Sequence, residues 1–269
     1  MRLAFRIFRT ALVCWAAAAL SIAYLVKAAP NALSDAEIQG RALAEKILAD
    51  RPENNYTNSG ILEIRDSQGK RVKVPVEFKV SVSSTNWVAI YSTKITNAAP
   101  DDSSFGRTYF GQLTVIHSDG QPNVYLVPNV NPPPTDTNAF ICLTNDQIMT
   151  PFARSDFCFA DLGLEFFHWP QQKVLPKTTN LRRGRDYTLL ESTNPHPEAN
   201  GYSRVVCWID RESDGILEAQ AYDASGNKLK DFEPKNFEKV KGQYQVESMI
   251  MDNTQTGSQS RLEFDYSRQ

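Results

Sequence analysis

One strand-forming stretch sets the strongest constraint on the fold of this chain. Between residues 72 and 82, six apolar side chains alternate without a break with polar side chains or proline. Successive side chains of a β-strand point to opposite faces, so the pattern predicts a strand with one face on an apolar space and the other in water. Pro75 has no backbone N–H to donate, which predicts an edge strand or a bulge near that point.

Other segments carry weaker helix and strand signals. A capping box at residues 34–37 precedes an amphipathic helix that Pro52 ends, and residues 161–168 are predicted as a short helix stopped by Pro170. Further strands are predicted at residues 61–64, 87–92, 109–117, 124–127, 204–209, 216–222, 244–251 and 261–266. Short strands separated by glycine-containing turns predict a mainly β, antiparallel fold of the α+β class, interrupted by helices.

The first 28 residues have the pattern of an export signal. Three arginines precede an apolar run at residues 10–26, and the small residues Ala28 and Ala29 follow. This run is only just shorter than the roughly 18–20 residues that span a bilayer, so an uncleaved membrane anchor remains the alternative. We expect residues 29–269 to form a single domain in the periplasm.

The charge and the cysteine content of the chain argue against some classes of function. Removing residues 1–28 removes four of the 29 basic residues and none of the 31 acidic ones, which leaves a formal charge of 25 minus 31, or −6. We expect no nucleic-acid binding from such a chain. Cys142, Cys158 and Cys207 remain, at a spacing that fits no metal motif. One disulfide among them and three buried free thiols are both open at this stage.

Residues suited to catalysis are sparse. Asp156, Asp161 and His168 are the candidate acid–base set of an extracytoplasmic hydrolase, but the same residues are compatible with a helix cap and a solvated acid. No nucleophile elbow, phosphate loop or dinucleotide fingerprint occurs in the sequence. We therefore expect no enzymatic activity, no metal and no cofactor, and keep the hydrolase as the last of the alternatives.

Residues 140–266 carry a set of short motifs in a fixed order. They are Ser155-Asp156-Phe157, Asp161-Leu162-Gly163, Tyr202-Ser203-Arg204-Val205, Trp208-Ile209-Asp210, Ala221-Tyr222-Asp223, Gly226-Asn227-Lys228 with Lys230, Thr256-Gly257-Ser258, Leu262 and Phe264. In this order they resemble the LolA-like family of outer-membrane lipoprotein-sorting proteins, in its broader branch. The resemblance implies an open antiparallel half-barrel whose apolar concave face is closed by a helical lid.

The same resemblance implies a function without catalysis. It implies a periplasmic carrier that binds the acyl chains of a lipoprotein or lipid and passes them toward the outer membrane. The partners implied are transport proteins of the inner and outer membranes, and we expect the carrier to be a monomer. The alternative within the same fold is a lipid-sensing periplasmic regulator. Each buried CH₂ of an acyl chain contributes about 0.8 kcal/mol, so a small apolar cavity is sufficient for useful affinity.

Apolar side chains of the strands and of the central aromatic cluster are the candidate ligand-binding residues. Only one face of each strand can line a cavity, and the sequence does not fix that face for the later strands. Aromatic residues at helical spacing are equally compatible with an ordinary core. The candidates for the hydrophobic cavity and lid are Val76, Phe78, Val80, Phe157, Phe159, Leu162, Phe166, Trp169, Val206, Trp208, Met249 and Met251.

Overall fold

The computed structural model describes residues 32–93, 111–129, 139–197, 201–240 and 243–266. The chain divides into the units Met1–Ser34 and Asp35–Gln269, and the fold below is that of the second unit. The predicted export segment at residues 1–28 lies outside the described residues, as do the first two residues of the strand predicted at 109–117.

The second unit is built on one antiparallel sheet of 13 strands. In chain order the strands are β1 (Tyr56–Arg65), β2 (Arg71–Val82), β3 (Asn86–Thr93), β4 (Gln112–Ser118), β5 (Val124–Pro128), β6 (Phe140–Leu143), β7 (Gln171–Leu175), β8 (Tyr187–Thr193), β9 (Arg204–Asp210), β10 (Ile216–Tyr222), β11 (Lys228–Val240), β12 (Gln243–Asn253) and β13 (Gln259–Asp265). Their order across the sheet is β6, β5, β4, β3, β2, β1, β13, β12, β11, β10, β9, β8, β7. The predicted mainly β antiparallel fold is confirmed, and β6 and β7 are the two edges of an open sheet.

Helices are few and mostly short. The predicted amphipathic helix is α1 (Asp35–Ala49), and a single turn, α2 (Phe159–Leu162), lies between β6 and β7 with three 3₁₀ turns. Those turns are Asn145–Met149, Phe152–Arg154 and Glu165–His168. No helix in the described ranges is both long and apolar enough to span a membrane.

The prediction of one continuous helix at residues 161–168 is wrong. Leu164 has a φ of 50°, in the left-handed region, so α2 stops before it and a 3₁₀ turn starts after it. A helix cannot continue through a residue in that conformation. The break lets Phe166 and Phe167 turn into the core although they follow α2 directly.

The alternating strand is β2, for which the sequence predicted an edge strand or a bulge near Pro75. It lies inside the sheet, and its pairing with β1 continues through Pro75 without a register shift. It pairs with β1 from Arg71 to Val80 and, among the described residues, with β3 from Val76 to Val82. Pro75 pairs with Ile61 of β1 and lies just past the last pair with β3. Among the residues that the structure describes, which leave out 94–110, Pro75 has a partner strand on one side only, and a strand tolerates a proline at such a point.

The sheet is strongly curved around the chain that joins its edges. We call residues 144–170, which connect β6 to β7, the crossing segment. Within it, the Gly163 carbonyl accepts a hydrogen bond of 2.7 Å from Asn123, next to β5, while Asp161 lies 3.2 Å from Lys230 of β11. In a flat sheet β5 and β11 would lie about 34 Å apart, because seven strand spacings of about 4.8 Å separate them. Residues 161 and 163 span at most about 7 Å, so the sheet curls and the crossing segment lies on its concave face.

The helix α1 packs closely against the edge strand β7. Gly40 and Ala44, one helical turn apart, are its buried residues. A Cβ atom at Gly40 would lie 2.5 Å from the backbone nitrogen of Lys173 and 2.7 Å from the carbonyl carbon of Gln172, both in β7. A helix at this distance covers a strand edge that would otherwise be open to pairing with another chain.

We expect Gly40→Ala to destabilise the protein by about 1–3 kcal/mol, because the added methyl group forces α1 away from β7. Helix propensity alone predicts the opposite sign, since alanine is favoured over glycine by about 1 kcal/mol. Urea denaturation of this variant, with Gln39→Ala at the exposed neighbouring position as control, measures the difference. A Gly40→Ala protein at least as stable as the parent would contradict the close contact.

Candidate functional site

Aromatic side chains of the crossing segment fill the concave face of the sheet. Phe152, Phe157 and Phe159 are fully buried in one apolar cluster with side chains of β1 to β6, β12 and β13. Phe152 meets Tyr91 of β3 edge-on, with ring centroids 6.0 Å apart, and Phe157 meets Phe232 of β11 at 6.5 Å. The apolar surface expected to hold a ligand is thus covered by the protein's own side chains.

The open space between the crossing segment and strands β9 to β12 is small. A cavity of about 30 Å³, lined by Leu164, Phe232 and Met251 among others, lies against β9 to β12. This is about the volume that one water molecule occupies in the liquid. An acyl chain would need the crossing segment to move before it reached the concave face.

A buried carboxylate fastens the middle of the crossing segment to β13. The side chain of Asp156 accepts hydrogen bonds from Ser258 Oγ at 2.6 Å and Ser260 Oγ at 2.7 Å. Its backbone N–H donates in turn to Ser260 Oγ at 2.8 Å. Asp156 is buried, so the interpretation of this residue as a solvated acid is wrong.

A second carboxylate is the centre of a buried polar network. Asp161 accepts hydrogen bonds from the Cys158 backbone N–H at 2.8 Å, Tyr202 Oη at 3.0 Å and Lys230 Nζ at 3.2 Å. Lys230 Nζ also donates to the Asp156 carbonyl at 2.6 Å. Burial alone would lower the pKa of Lys230, but the nearby Asp161 charge raises it above the ordinary value. Lys230 therefore stays charged and ties β11 to the crossing segment at two points.

The opposite side of the crossing segment is held by hydrogen bonds from tyrosine hydroxyl groups. Tyr91 Oη donates to the Leu162 carbonyl at 3.3 Å, and Tyr125 Oη donates to Glu165 Oε2 at 2.9 Å. Gly163 has no room for a side chain, because a Cβ atom there would lie 2.1 Å from Tyr125 Oη. The segment is therefore attached to both halves of the sheet by a limited set of polar contacts.

The candidate hydrolase set does not come together. Asp156 and Asp161 bind serine, tyrosine and lysine side chains of the sheet, and their contacts among the described residues do not include His168. Burial lowers the pKa of His168, whose ring lies in the wall of a different cavity. Both carboxylates serve as anchors of the crossing segment.

Most of the predicted ligand-binding residues do meet on the concave face. Val76, Phe78, Phe157, Phe159, Leu162, Met249 and Met251 belong to one apolar cluster. Val80 is fully buried and shares its β2 face with Val76 and Phe78. Phe166 and Trp169 belong to a second cluster, which shares Phe232 with the first.

Val206 and Trp208 do not join the other candidates. They lie in a third cluster, whereas Cys207 between them belongs to the second, so alternate residues of β9 point to opposite faces. On the outer face, the Arg182 guanidinium covers the Trp208 ring at 4.8 Å. The inward residues that the prediction missed in this strand are Val205, Cys207 and Ile209.

All three cysteines of the described chain are free thiols. Cys142 is exposed, while Cys158 and Cys207 are buried. Burial, together with the negative charge of Asp161, raises the pKa of Cys158 to about 12, so this thiol stays protonated. Within the same residues, no three histidine, cysteine or acidic side chains gather in a way that would hold a metal ion.

The partly buried histidine His117 should make the protein less stable in acid. His117 stacks on Trp87 with ring centroids 3.7 Å apart. Burial, with a smaller repulsion from His168, lowers the pKa of His117 from 6.5 to about 4. The unfolded chain takes up this proton first, so stability is complete above about pH 6.5 and falls as the pH drops toward 4.

We expect the free energy of unfolding to fall by about 2–3 kcal/mol between pH 6.5 and 4, from the size of this shift and 1.36 kcal/mol per pKa unit. His117→Phe keeps an aromatic ring beside Trp87 and should remove most of the loss in this window. His196→Phe changes an exposed histidine and serves as control. Equal acid sensitivity of His117→Phe and the parent protein, in urea denaturation at each pH, would refute the assignment.

Comparisons with known proteins find solved structures with a similar fold. A family model described as an uncharacterized protein matches residues 135–268. A search of curated proteins gave no match to the chain. A DUF1329 family protein from Desulfovibrio piger ATCC 29098 is a solved structure similar to this one, with 17% sequence identity and a TM-score of 0.64. The similarity covers 87% of this chain and 92% of that chain.

Two further solved structures are similar to this one in fold. A putative outer membrane lipoprotein-sorting protein domain from Vibrio parahaemolyticus has 17% identity and a TM-score of 0.63, over 85% of this chain and 91% of that chain. A LolA superfamily protein from Nitrosomonas europaea has 17% identity and a TM-score of 0.55, over 86% of this chain and 92% of that chain. The predicted resemblance is confirmed at the level of the fold, which this chain shares with these solved structures.

Proposed function

We propose that this protein is a periplasmic carrier that binds the acyl chains of a lipoprotein or lipid on its concave face and passes them toward the outer membrane. The observation that carries the proposal is the crossing segment, whose buried aromatic side chains occupy an apolar concave surface that the strands alone would leave exposed. The likeness in fold to a putative lipoprotein-sorting domain supports the same function. Binding, and no chemical reaction, is the activity of such a carrier.

The crossing segment is the helical lid of this carrier. In the closed state its phenylalanines substitute for acyl chains, and a ligand displaces them when the contacts at Asp161 and Lys230 open. An acyl chain recovers the apolar contact that the displaced rings lose, because its CH₂ groups are buried in their place. The proposed ligand contacts are Val76, Phe78, Val80, Phe157, Phe159, Leu162, Phe166, Trp169, Met249 and Met251.

Export and handover complete the proposal. Residues 1–28 direct the chain across the inner membrane and are removed, and the remaining residues form one lipid-binding domain. The carrier works as a monomer that meets one transport protein at the inner membrane and another at the outer membrane. Val206 and Trp208 take no part in ligand binding because they lie on the outer face of the sheet.

Titration of the exported protein with a fluorescent fatty acid tests the proposal. Met249→Gln places an amide on the concave face, and burying an amide without a partner costs about 1–3 kcal/mol, so we expect roughly tenfold weaker binding. Phe237→Gln, at a position that is 51% exposed on β11, should leave the affinity unchanged. Equal affinities of the two variants would place the acyl chain elsewhere, and no saturable binding by the parent protein would refute the carrier.

A further inference from the structure

A second, larger cavity lies where the two sides of the curved sheet approach each other. It has a volume of about 740 Å³ and is lined by α1, by Trp87 of β3, by the turn between β4 and β5, and by the end of the crossing segment. Small-molecule sites typically measure about 300–1,000 Å³, so the volume is sufficient for a ligand. Of the residues predicted for the acyl-chain site, Trp169 alone contributes to its wall.

The wall carries charged side chains whose charges cancel. Arg41, Arg51, Glu45 and Asp119 supply two positive and two negative charges. Arg51 is already engaged, because it donates to the Asn86 carbonyl at 3.2 Å and lies 3.5 Å from Asp119. Arg41 is engaged as well, because it donates to the Pro170 carbonyl at 3.4 Å, and the Glu45 carboxylate lies one helical turn away from it. An anionic ligand would therefore find no uncommitted arginine. A neutral ligand does not require one.

Several hydrogen-bonding groups of this wall are uncommitted. The side chains of Glu45 in α1 and of Ser118 and Gln121 in the turn make no hydrogen bond with any other residue that the structure describes. The Nε2 atom of His168 is buried and, among those same residues, has no partner either. Together these groups offer both donors and acceptors, which matches a ligand with several hydroxyl groups.

Flat aromatic surfaces complete the wall. The Trp87 ring is stacked on His117 with only 10° between the two planes, so its orientation is fixed before any ligand arrives. Trp169 and Phe167 of the crossing segment contribute to the same wall. The face of an aromatic ring is electron-rich and attracts the weakly positive C–H groups of a sugar ring. Aromatic faces and hydroxyl-binding groups in one neutral cavity are the combination that a sugar requires.

We propose that this cavity binds a neutral glycosyl group, as a free saccharide or as the head of a glycolipid. The inference goes beyond acyl-chain binding, since it concerns a different cavity. It also does not require the crossing segment to move, because the cavity is already open in the structure.

Isothermal titration calorimetry of the exported protein with a panel of neutral methyl glycosides tests the inference, with glucose 6-phosphate as the charged counterpart. We expect at least one neutral glycoside to bind saturably and glucose 6-phosphate not to bind. Glu45→Ala should weaken this binding roughly tenfold and Gln121→Ala severalfold, in line with one lost hydrogen bond to a charged and to a neutral group. Both residues are exposed, and Glu53→Ala, exposed and outside the cavity, is the matched control.

An octyl glycoside below its micelle-forming concentration separates the two sources of the sugar. Tighter binding of the octyl than of the methyl compound, still sensitive to Glu45→Ala, indicates a glycolipid, and equal binding indicates a free saccharide. Absence of binding by every neutral glycoside, or an affinity that Glu45→Ala leaves unchanged, would overturn the inference. The fatty-acid titration contains no sugar and the methyl glycosides contain no acyl chain, so failure of one proposal is distinguishable from failure of the other.

Discussion

Lys230→Met is expected to lower the free energy of unfolding by about 3–5 kcal/mol, because it leaves the buried Asp161 carboxylate without its positive partner. The side chains of the pair are only 15% and 10% exposed, and their atoms lie 3.2 Å apart. The variant also removes the hydrogen bond that Lys230 Nζ donates to the Asp156 carbonyl. The crossing segment would then lose its main charged attachment to β11.

Two companion variants make the measurement specific. Lys228 forms an ion pair of 2.6 Å with Asp231, but its side chain is 37% exposed, so Lys228→Met should cost less than about 1 kcal/mol. Adding Asp161→Asn to Lys230→Met removes the unpaired charge and should recover a large part of the loss. Urea denaturation of the three variants measures their free energies of unfolding. Similar losses for Lys228→Met and Lys230→Met would contradict the role of the buried pair.

Phe157→Ala is also expected to lower the free energy of unfolding by about 3–5 kcal/mol, as is typical when a buried phenylalanine is truncated. Phe157 is 1% exposed and belongs to the cluster that joins the crossing segment to the concave face. It also contacts the Phe232 ring of β11. The substitution leaves a cavity in the part of the core that we assign to the acyl chain.

A ligand should reverse part of this loss. Because an acyl chain can fill the space that the missing ring leaves, a fatty acid should raise the unfolding midpoint of Phe157→Ala more than that of the parent protein. Phe237→Ala, at an exposed position, should cost less than about 1 kcal/mol and show no extra stabilisation by the fatty acid. A fatty acid that stabilises the parent but not Phe157→Ala would contradict a shared site for Phe157 and the ligand.

The sequence predicts those elements whose local pattern agrees with their final environment. The alternation of β2 predicts both its extent and its inward face, because β2 has a core on one side and water on the other. The strands missing from the prediction lack such a pattern. In β8 both faces are largely buried, and β11 carries many charged residues and Pro234, so each gains its strand structure mainly from its neighbours.

The candidate site was only partly predictable for a related reason. The face of β9 that points inward is set by pairing with β8 and β10, and the sequence shows apolar residues on both faces. The polar anchors join residues far apart in the chain, such as Asp156 and Ser258, which are 102 residues apart. Even so, Asp156, Asp161, Tyr202, Lys230 and Ser258 all stand in the motifs that carry the family resemblance. Because these residues form one buried set of hydrogen bonds, the motifs have a structural role in holding the crossing segment.

Organic extraction and mass spectrometry of the exported protein, purified without detergent from its own host, test the carrier function most directly. We predict a lipid or an acylated peptide in stoichiometric amount, released when the protein is denatured. A protein that carries no acylated molecule and also fails to bind a fluorescent fatty acid would contradict the proposed function.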